Sequence, residues 1–452
     1  MLAAALVAAG CAAPLGPGYT VERQRLEVAF VSEPRPHVDV RATWRVKNTG
    51  DRALSAVEVK LPDADTQGRS GTRLESGGSE ITPAQTEAGN TVSIAFPAPL
   101  AVKAKQEIGV SYELAGIAGM GTGVVVEERG FVLPPPPSDW APALVPPKGL
   151  FAHGGEPPKQ WEMTVRVPAG FRVHASGRER GKKREAGNVV LRWEQEREGF
   201  SPFVAAGAFQ EERFAAAEGG VIIWTFQAMP PGLAQRAAEV VAQTADFYDE
   251  EFGPRDPDEQ TIWIIECPSG FVCWPVPQAV LPGREVFVAK FWSPGESEID
   301  RHLARTWLDF RVHPDWDAEL LPMAVLGNYA ADLAAAAWEG DDARRRKVQE
   351  LIREFDRLQK PERAILSIRA SDSEAEYAEV KSELFFFALE DAAGKENLRR
   401  AIVHLLGAYR GQTWRAEDLS AALERESGKD LAALFREWLI GTGIPGEFRS
   451  RY

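Results

Sequence analysis

The chain has 452 residues, of which 44% are hydrophobic and 26% are charged, a composition typical of a soluble globular protein. This length predicts about two to four domains, each able to bury its own core. The 66 acidic residues outnumber the 52 basic residues and give a formal net charge of −14. Nucleic-acid binding requires a basic surface, so this charge balance argues against a nucleic-acid partner.

The first ten residues, MLAAALVAAG, are small and apolar and lead directly to Cys11. Small residues before a cysteine resemble a bacterial lipobox, in which the cysteine is lipidated, although the basic segment that usually opens a secretory signal is missing. We interpret residues 1–19 as a signal and lipobox segment. No later apolar run is long enough to span a bilayer, so membrane attachment would come from lipidated Cys11. We expect a cell-envelope protein, lipid-anchored on the periplasmic side, or a secreted one.

Residues 20–215 have the pattern of an all-β domain. Apolar and polar residues alternate over 38–46 and again over 55–61, with a turn between the two runs. Residues 62–90 are rich in glycine, serine and threonine, and we expect them to be looped. Further strands are predicted at 91–96, 106–113, 123–126, 161–167 and 189–193. Short strands separated by turns predict an antiparallel sandwich or a saddle-shaped sheet.

From Gly232 onward the apolar residues recur at the spacing of α-helices. The clearest run covers 233–252 and stops at Gly253 and Pro254. A strand is expected at 261–266, and the charged stretch 344–382 is interpreted as a solvated helix face. Other helices are predicted at 299–310, 320–338, 397–409, 415–427 and 430–440. The sequence therefore predicts a multidomain α+β fold with a helical C-terminal half, divided at residues 1–19, 20–215 and 216–452.

The chain has three cysteines and no pair of CxxC motifs, so a zinc site built from thiolates is not expected. Cys267 and Cys273 lie close together in a loop rich in proline and glycine. In an oxidising compartment they would form a local disulfide, and the alternative is two separate buried thiols.

The helix predicted at 299–310 contains the most informative sequence in the chain, Arg301-His-Leu-Ala-Arg-Thr-Trp307. This sequence resembles the zinc-binding helix of the aminopeptidase N family of zinc peptidases (gluzincins), which carries H-E-x-x-H followed by x-W. In that family the two histidines bind zinc and the glutamate between them is the general base. A glutamate on the next helix completes the metal site.

The positions that bear the zinc ligands in this family hold different residues here. Arg301 and Arg305 occupy the two histidine positions, His302 occupies the position of the base, and Ala324 that of the third ligand. A guanidinium stays protonated and has no lone pair for a metal. The resemblance therefore implies a gluzincin (thermolysin-like) domain over 216–452 that binds no metal or other cofactor at this site and has no catalytic residue.

Other family motifs are similar in this chain and extend the resemblance over about residues 20–448. The W-x-P motif is matched at 140–142 and the motif F-x-x-W-L-x-x-x-G-x-P at 435–445. The family's G-x-M-E-N strand, which holds the substrate's amino terminus, corresponds to 270–277, where no acidic residue occurs. The position of the catalytic tyrosine, aligned on Lys381 of a Y-x-K-G motif, falls on Glu379, with Tyr377 two residues earlier.

The resemblance favours a catalytically inactive, peptidase-like envelope protein that binds a peptide or protein through its degenerate cleft. Arg301 and Arg305 would present two guanidinium groups to a carboxylate, with Tyr377 as a further ligand-binding candidate. The two arginines would otherwise form only ion pairs along their own helix, with Glu298 and Asp309.

The alternative function is an active metallopeptidase-family hydrolase with a relocated metal site. Its candidate ligands are two histidines, a nearby acidic cluster and one distant carboxylate: His302, His313, Asp309, Asp315, Asp317, Glu319 and Glu266. A serine hydrolase is not favoured, since no G-x-S-x-G occurs. A purely structural role in an assembly is a third hypothesis, which the sequence does not separate from the first.

Overall fold

The computed structural model describes residues 18–81, 84–85, 90–116, 124–134, 140–145, 161–195, 202–215, 220–230, 232–254, 261–268, 284–288, 303–304, 307–308, 321–359, 363–368, 374–409 and 414–452. The chain forms two compact units whose segments alternate along the sequence. The first unit comprises residues 1–122, 139–171 and 177–200, and the second comprises 123–138, 172–176 and 201–452. These units are defined by contacts, and the domain limits expected from the sequence stay a prediction.

The first unit contains an eight-stranded mixed sheet in the order β14-β15-β12-β1-β2-β8-β4-β5. The β1 and β12 strands pair in parallel, and the other neighbours pair antiparallel. Buried and exposed residues alternate along β2 from Val38 to Val46, so one face of the strand is buried and the other faces solvent, as its sequence predicts. The bounds are β1 (Tyr19–Val31), β2 (His37–Asn48), β4 (Arg69–Ser76), β5 (Ser79–Ile81), β8 (Lys105–Leu114), β12 (Trp161–Pro168), β14 (Arg178–Glu185) and β15 (Asn188–Gln195).

A four-stranded antiparallel sheet in the order β11-β3-β7-β6 completes the described strands of the first unit. Its strands are β3 (Leu54–Lys60), β6 (Ala84–Gln85), β7 (Thr91–Leu100) and β11 (Ala143–Val145). The two alternating runs at 38–46 and 55–61 are confirmed as strands, but they belong to different sheets.

The expectation that residues 62–90 are looped was wrong in part. The short helix α1 (Ala64–Gln67) and the strands β4, β5 and β6 lie in this stretch. The β4 strand is polar, and its pairing with the well-formed strand β8 places it in the sheet. Strand formation depends on such neighbours as much as on the strand's own residues, so composition alone did not reveal it.

The second unit contains two further four-stranded sheets, in the orders β13-β16-β10-β9 and β17-β18-β19-β20. In the latter, β18 pairs in parallel with β19, and β19 with β20. The bounds are β9 (Val125–Glu127), β10 (Gly130–Leu133), β13 (Arg172–Ala175), β16 (Val204–Gly207), β17 (Gln210–Ala215), β18 (Gly220–Thr225), β19 (Thr261–Glu266) and β20 (Arg284–Val288).

Helices form most of the described C-terminal half. The α2 helix has the predicted bounds and ends at Gly253, whose φ of 90° lies in the region that favours glycine. Residues 303–304 and 307–308 are also helical. The bounds are α2 (Leu233–Phe252), α3 (Leu321–Glu339), α4 (Asp341–Phe355), α5 (Ala375–Ala393), α6 (Lys395–Ala408), α7 (Ala416–Ser427), α8 (Ala432–Leu439) and α9 (Gly446–Arg451), with a 3₁₀ turn at Ile365–Ser367.

One large hydrophobic core joins the helices of the second unit to its parallel strands. Val241 and Tyr248 of α2, Ile264 of β19 and Phe386 of α5 are buried members of this core. The mixed α and β structure with a helical C-terminal half is thus confirmed. Within the described residues no helix has both the length and the apolar character needed to cross a membrane.

Candidate functional site

The helix that carries Trp307 is part of the core of the second unit. Leu303, Ala304 and Leu308 have no exposed surface, and Trp307 is only 1% exposed. The Trp307 indole Nε1 donates a hydrogen bond of 2.9 Å to Asp249 Oδ1 on α2. Its ring centroid also lies 5.5 Å from that of Tyr248. The end of the motif that matches the peptidase family is therefore an anchored core helix, not an ordinary surface helix.

The α3 helix, which by the resemblance matches the helix that bears the third zinc ligand in aminopeptidase N enzymes, belongs to the same core. Leu326, Tyr329 and Ala330 lie in one hydrophobic cluster with Leu303 and Trp307. Ala324 is within the first turns of α3. Arg301, His302 and Arg305 lie outside the described residues, as do Cys11, His313 and the acidic cluster considered for a relocated site: Asp309, Asp315, Asp317 and Glu319.

Two polar side chains on α5 hold the segment that follows α8. The Tyr377 hydroxyl donates a hydrogen bond to the carbonyl oxygen of Thr442, and burial raises the pKa of Tyr377, which keeps this donor protonated. One turn later, the fully buried Lys381 ammonium donates to the carbonyl oxygen of Gly441. Glu379, at the position of the family's catalytic tyrosine, is exposed. The Tyr377 hydroxyl thus donates its hydrogen to a main-chain carbonyl.

We expect Tyr377→Phe to lower the free energy of unfolding by about 1–2 kcal/mol, because the partly buried Thr442 carbonyl loses its donor. Urea denaturation followed by circular dichroism measures the change. Tyr409→Phe is the matched control, since its hydroxyl donates to the Asp418 carboxylate, which water can solvate after the change. An equal loss of stability in both variants would show that the hydrogen bond to the Thr442 carbonyl stabilises the fold no more than the one from Tyr409 to Asp418.

A partly buried ionic network connects α3, α4 and α5. The Tyr329 hydroxyl donates a hydrogen bond of 2.7 Å to Glu390 Oε2. Arg344 lies 3.3 Å from Glu390 Oε1 through Nε and 2.7 Å from Asp391 Oδ1 through Nη2, and it also donates to the Tyr452 hydroxyl. Burial, with a contribution from Glu390, raises the pKa of Tyr329 well above its usual value, so that its hydroxyl remains a donor.

A second charged group lies between the same helices. Lys347 Nζ on α4 is 3.0 Å from Glu383 Oε1 and 3.4 Å from Asp332 Oδ1, and both carboxylates belong to buried residues. The interpretation of 344–382 as a solvated face holds for the exposed Arg345 and Arg346 but is wrong for Lys347, as it is for Arg344. The signal in the sequence that would have revealed this buried ion pair is an acidic residue within an otherwise apolar helical segment, as at positions 332 and 383.

Around Cys267, the sequence predicted only part of what the structure shows. Cys267 is disulfide-bonded, and its partner lies outside the described residues. The alternative of a separate thiol is therefore wrong for Cys267. Beside it, Glu266 is buried, and its Oε2 accepts a hydrogen bond of 2.7 Å from the main-chain nitrogen of Phe226. This contact gives Glu266 a structural role in the sheet.

The described residues of the second unit contain no group of three side chains with converging metal-ligand atoms. Family models yield no match to the chain, and neither do curated proteins.

Solved structures are similar over almost the whole chain. An M1 zinc metallopeptidase from Deinococcus radiodurans, in a variant with one glutamate replaced by alanine, superimposes with a TM-score of 0.68 at 16% identity, covering 95% of this chain and 96% of that one. The same variant bound to the substrate Tyr-Ser-Ala gives a TM-score of 0.66 at 16% identity, with 95% of each chain covered. A two-domain M1 zinc metallopeptidase variant bound to L-tryptophan gives 0.67 at 16% identity, with 95% and 96% covered. At this level of identity, the similarity shows the fold alone.

Proposed function

We propose that this chain is a catalytically inactive, peptidase-like protein of the cell envelope that binds a peptide or protein through the degenerate cleft of a gluzincin domain. One observation carries the proposal: a fold similar to zinc metallopeptidases over 95% of the chain is combined with arginine and alanine at the positions that match the zinc ligands. Attachment through lipidated Cys11 belongs to the same proposal, as does the location on the periplasmic side.

The donor set at this position does not fit zinc. Arg301 and Arg305 have no lone pair to offer a metal, and Ala324 has no polar atom. Zinc in proteins is bound by thiolate, imidazole or carboxylate, and a catalytic site needs three such ligands. His302 alone would leave an ion with one protein ligand. We therefore assign no metal-dependent step to this cleft.

The same donor set suits an anionic ligand. Arg301 and Arg305 are four residues apart, so an α-helical period predicts that both guanidinium groups lie on one face of the helix. Guanidinium binds carboxylate through paired, charge-assisted hydrogen bonds. Structures with this fold are bound to a tripeptide, to L-tryptophan and to L-arginine, each of which carries a carboxylate. A peptide with a free C-terminus is the ligand that these arginines would select.

Peptide binding tests the proposal directly. Isothermal titration with tripeptides that have either a free or an amidated C-terminus should show binding only for the free carboxylate. The double variant Arg301→Ala/Arg305→Ala should weaken that binding at least about tenfold, which corresponds to about 1.4 kcal/mol. The double variant Arg345→Ala/Arg346→Ala is the matched control, since these arginines are exposed on α4 of the same unit, and it should bind like the unaltered protein.

The same preparation tests inactivity. We expect no release of p-nitroaniline from aminoacyl-p-nitroanilides, with or without added zinc, and no zinc bound in the second unit. Hydrolysis that a chelator abolishes would contradict the proposal and favour the alternative of an active hydrolase with a relocated metal site. Equal peptide binding by the two double variants would contradict the role of the arginine pair.

A further inference from the structure

The solvent-facing side of the eight-stranded sheet in the first unit forms an open groove of about 1000 Å³. Charged side chains of both signs line it. Basic residues lie on β12, β14 and β15 and also on β2 and β4, where they are Arg41 and Arg73. Acidic residues of the lining include Asp39 on β2 and Glu113 on β8.

His37, Asp39 and Glu113 bring three potential ligand atoms to one place. An imidazole nitrogen and two carboxylate oxygens all lie within 4.8 Å of one another. His37 and Asp39 are two residues apart on β2, so their side chains point to the same face of the sheet. Glu113 on β8 is the cross-strand partner of Asp39. Sheet register therefore holds all three side chains together, and no mobile loop is needed to assemble them.

The orientation of the His37 ring favours a metal ligand. Its Nδ1 lies 2.9 Å from the carbonyl oxygen of Arg35, and a carbonyl only accepts, so Nδ1 carries the hydrogen. In the neutral ring Nε2 then has the free lone pair, and this nitrogen faces Asp39, 3.5 Å from Oδ1. Metal-binding histidines commonly donate their second ring nitrogen to a carbonyl in this way. The His37 side chain is 14% exposed, which fixes the ring more firmly than on an open surface.

The two carboxylates lack a permanent counter-charge. Like charges directly opposite each other on neighbouring strands destabilise a sheet. Some carboxylates of this sheet do have such a partner: Glu75 lies 2.6 Å from Arg41, and Glu22 lies 2.6 Å from Lys105. In the part of the chain that the structure describes, no lysine or arginine forms an ion pair with Asp39 or Glu113. A bound cation would remove this repulsion.

We propose that His37, Asp39 and Glu113 form a binding site for a divalent transition-metal ion, with zinc as the best-matched ion. An imidazole with carboxylates suits zinc and its neighbours in the first transition row, whereas calcium and magnesium prefer oxygen ligands alone. Three protein ligands leave at least one position for water or for a ligand in the groove. The site lies in the first unit and is independent of the function proposed for the second.

Isothermal titration calorimetry tests this site. The full chain is first treated with a chelator to remove bound metal and is then titrated with zinc. We expect one zinc ion per chain, and affinity at least about tenfold weaker in each of His37→Ala, Asp39→Asn and Glu113→Gln. Glu27→Gln is the matched control, because Glu27 lines the same groove outside the group of three, and its affinity should stay within about twofold of the unaltered protein. Circular dichroism of each variant shows whether the fold is intact.

The site would be overturned by no zinc binding at millimolar concentration, or by zinc binding that all three ligand variants retain. An equal loss in Glu27→Gln would show general attraction to an acidic surface and would also overturn it. The double variant Asp39→Asn/Glu113→Gln separates this test from that of the cleft. Zinc lost in the double variant belongs to the first unit, whereas zinc that persists would count against the inactive cleft and against the present site.

Discussion

Replacing Trp307 with alanine is expected to lower the free energy of unfolding by about 3–5 kcal/mol. The indole is 1% exposed, so the change removes a large apolar side chain from a packed core and leaves a cavity. It also removes the hydrogen bond from Nε1 to Asp249 Oδ1, which leaves a partly buried carboxylate without that donor. Urea denaturation followed by tryptophan fluorescence and circular dichroism measures the loss.

Trp338→Ala is the matched control for this change. Trp338 is the same residue type in the same unit, near the end of α3, but it is 47% exposed. Its removal creates no closed cavity, and we expect a loss below about 1 kcal/mol. Equal losses in the two variants would mean that the helix carrying Trp307 does not pack in the core, and the similarity to the peptidase fold would lose its best structural support.

Replacing Arg344 with methionine is expected to lower the free energy of unfolding by about 3 kcal/mol. The change removes a partly buried cation, so the carboxylates of Glu390 and Asp391 lose this partner. Glu390 and Asp391 are 12% and 17% exposed, and Arg344 is 21% exposed, so water screens this group only weakly. Methionine keeps much of the apolar volume of the arginine stem, so the loss reports mainly on charge and hydrogen bonding.

Arg346→Met makes the same chemical change two residues away on α4. Arg346 is 57% exposed and pairs with Glu339, which is 62% exposed. Exposed ion pairs contribute little, so we expect a change below about 0.5 kcal/mol. A difference near zero at neutral pH would show that the network does not stabilise the packing of α3, α4 and α5.

Local periodicity explains which elements the sequence predicted well. The α2 helix has a regular apolar stripe and a glycine stop, and its bounds were predicted to the residue. The β2 strand has strict alternation, because one face of its sheet is buried. The β4 strand lacks such a pattern, and its state depends on pairing with β8, more than thirty residues later in the chain. A prediction made from a few neighbouring residues does not detect a pairing strand that lies so far along the chain.

The ionic network shows the same limit for side chains. Arg344 belongs to a run of basic residues that, taken alone, is typical of a solvated helix face. Its partners Glu390 and Asp391 lie on α5, and only the packing of α4 against α5 brings them within hydrogen-bond distance. The helical period only requires that Arg344 lies on a different face of α4 from Arg345 and Arg346. Which of these faces is buried depends on where the neighbouring helix packs.

The amino-acid sequence already shows that positions 301, 305 and 324 offer no zinc ligand, because the presence or absence of a lone pair is a property of each side chain in any fold. It also determined the helices and strands whose pattern is complete within a few turns. Three features became visible only in the folded chain: Trp307 is a core residue, β2 and β3 join different sheets, and His37, Asp39 and Glu113 converge. Each of these depends on contacts between residues distant in sequence, which form when the chain folds.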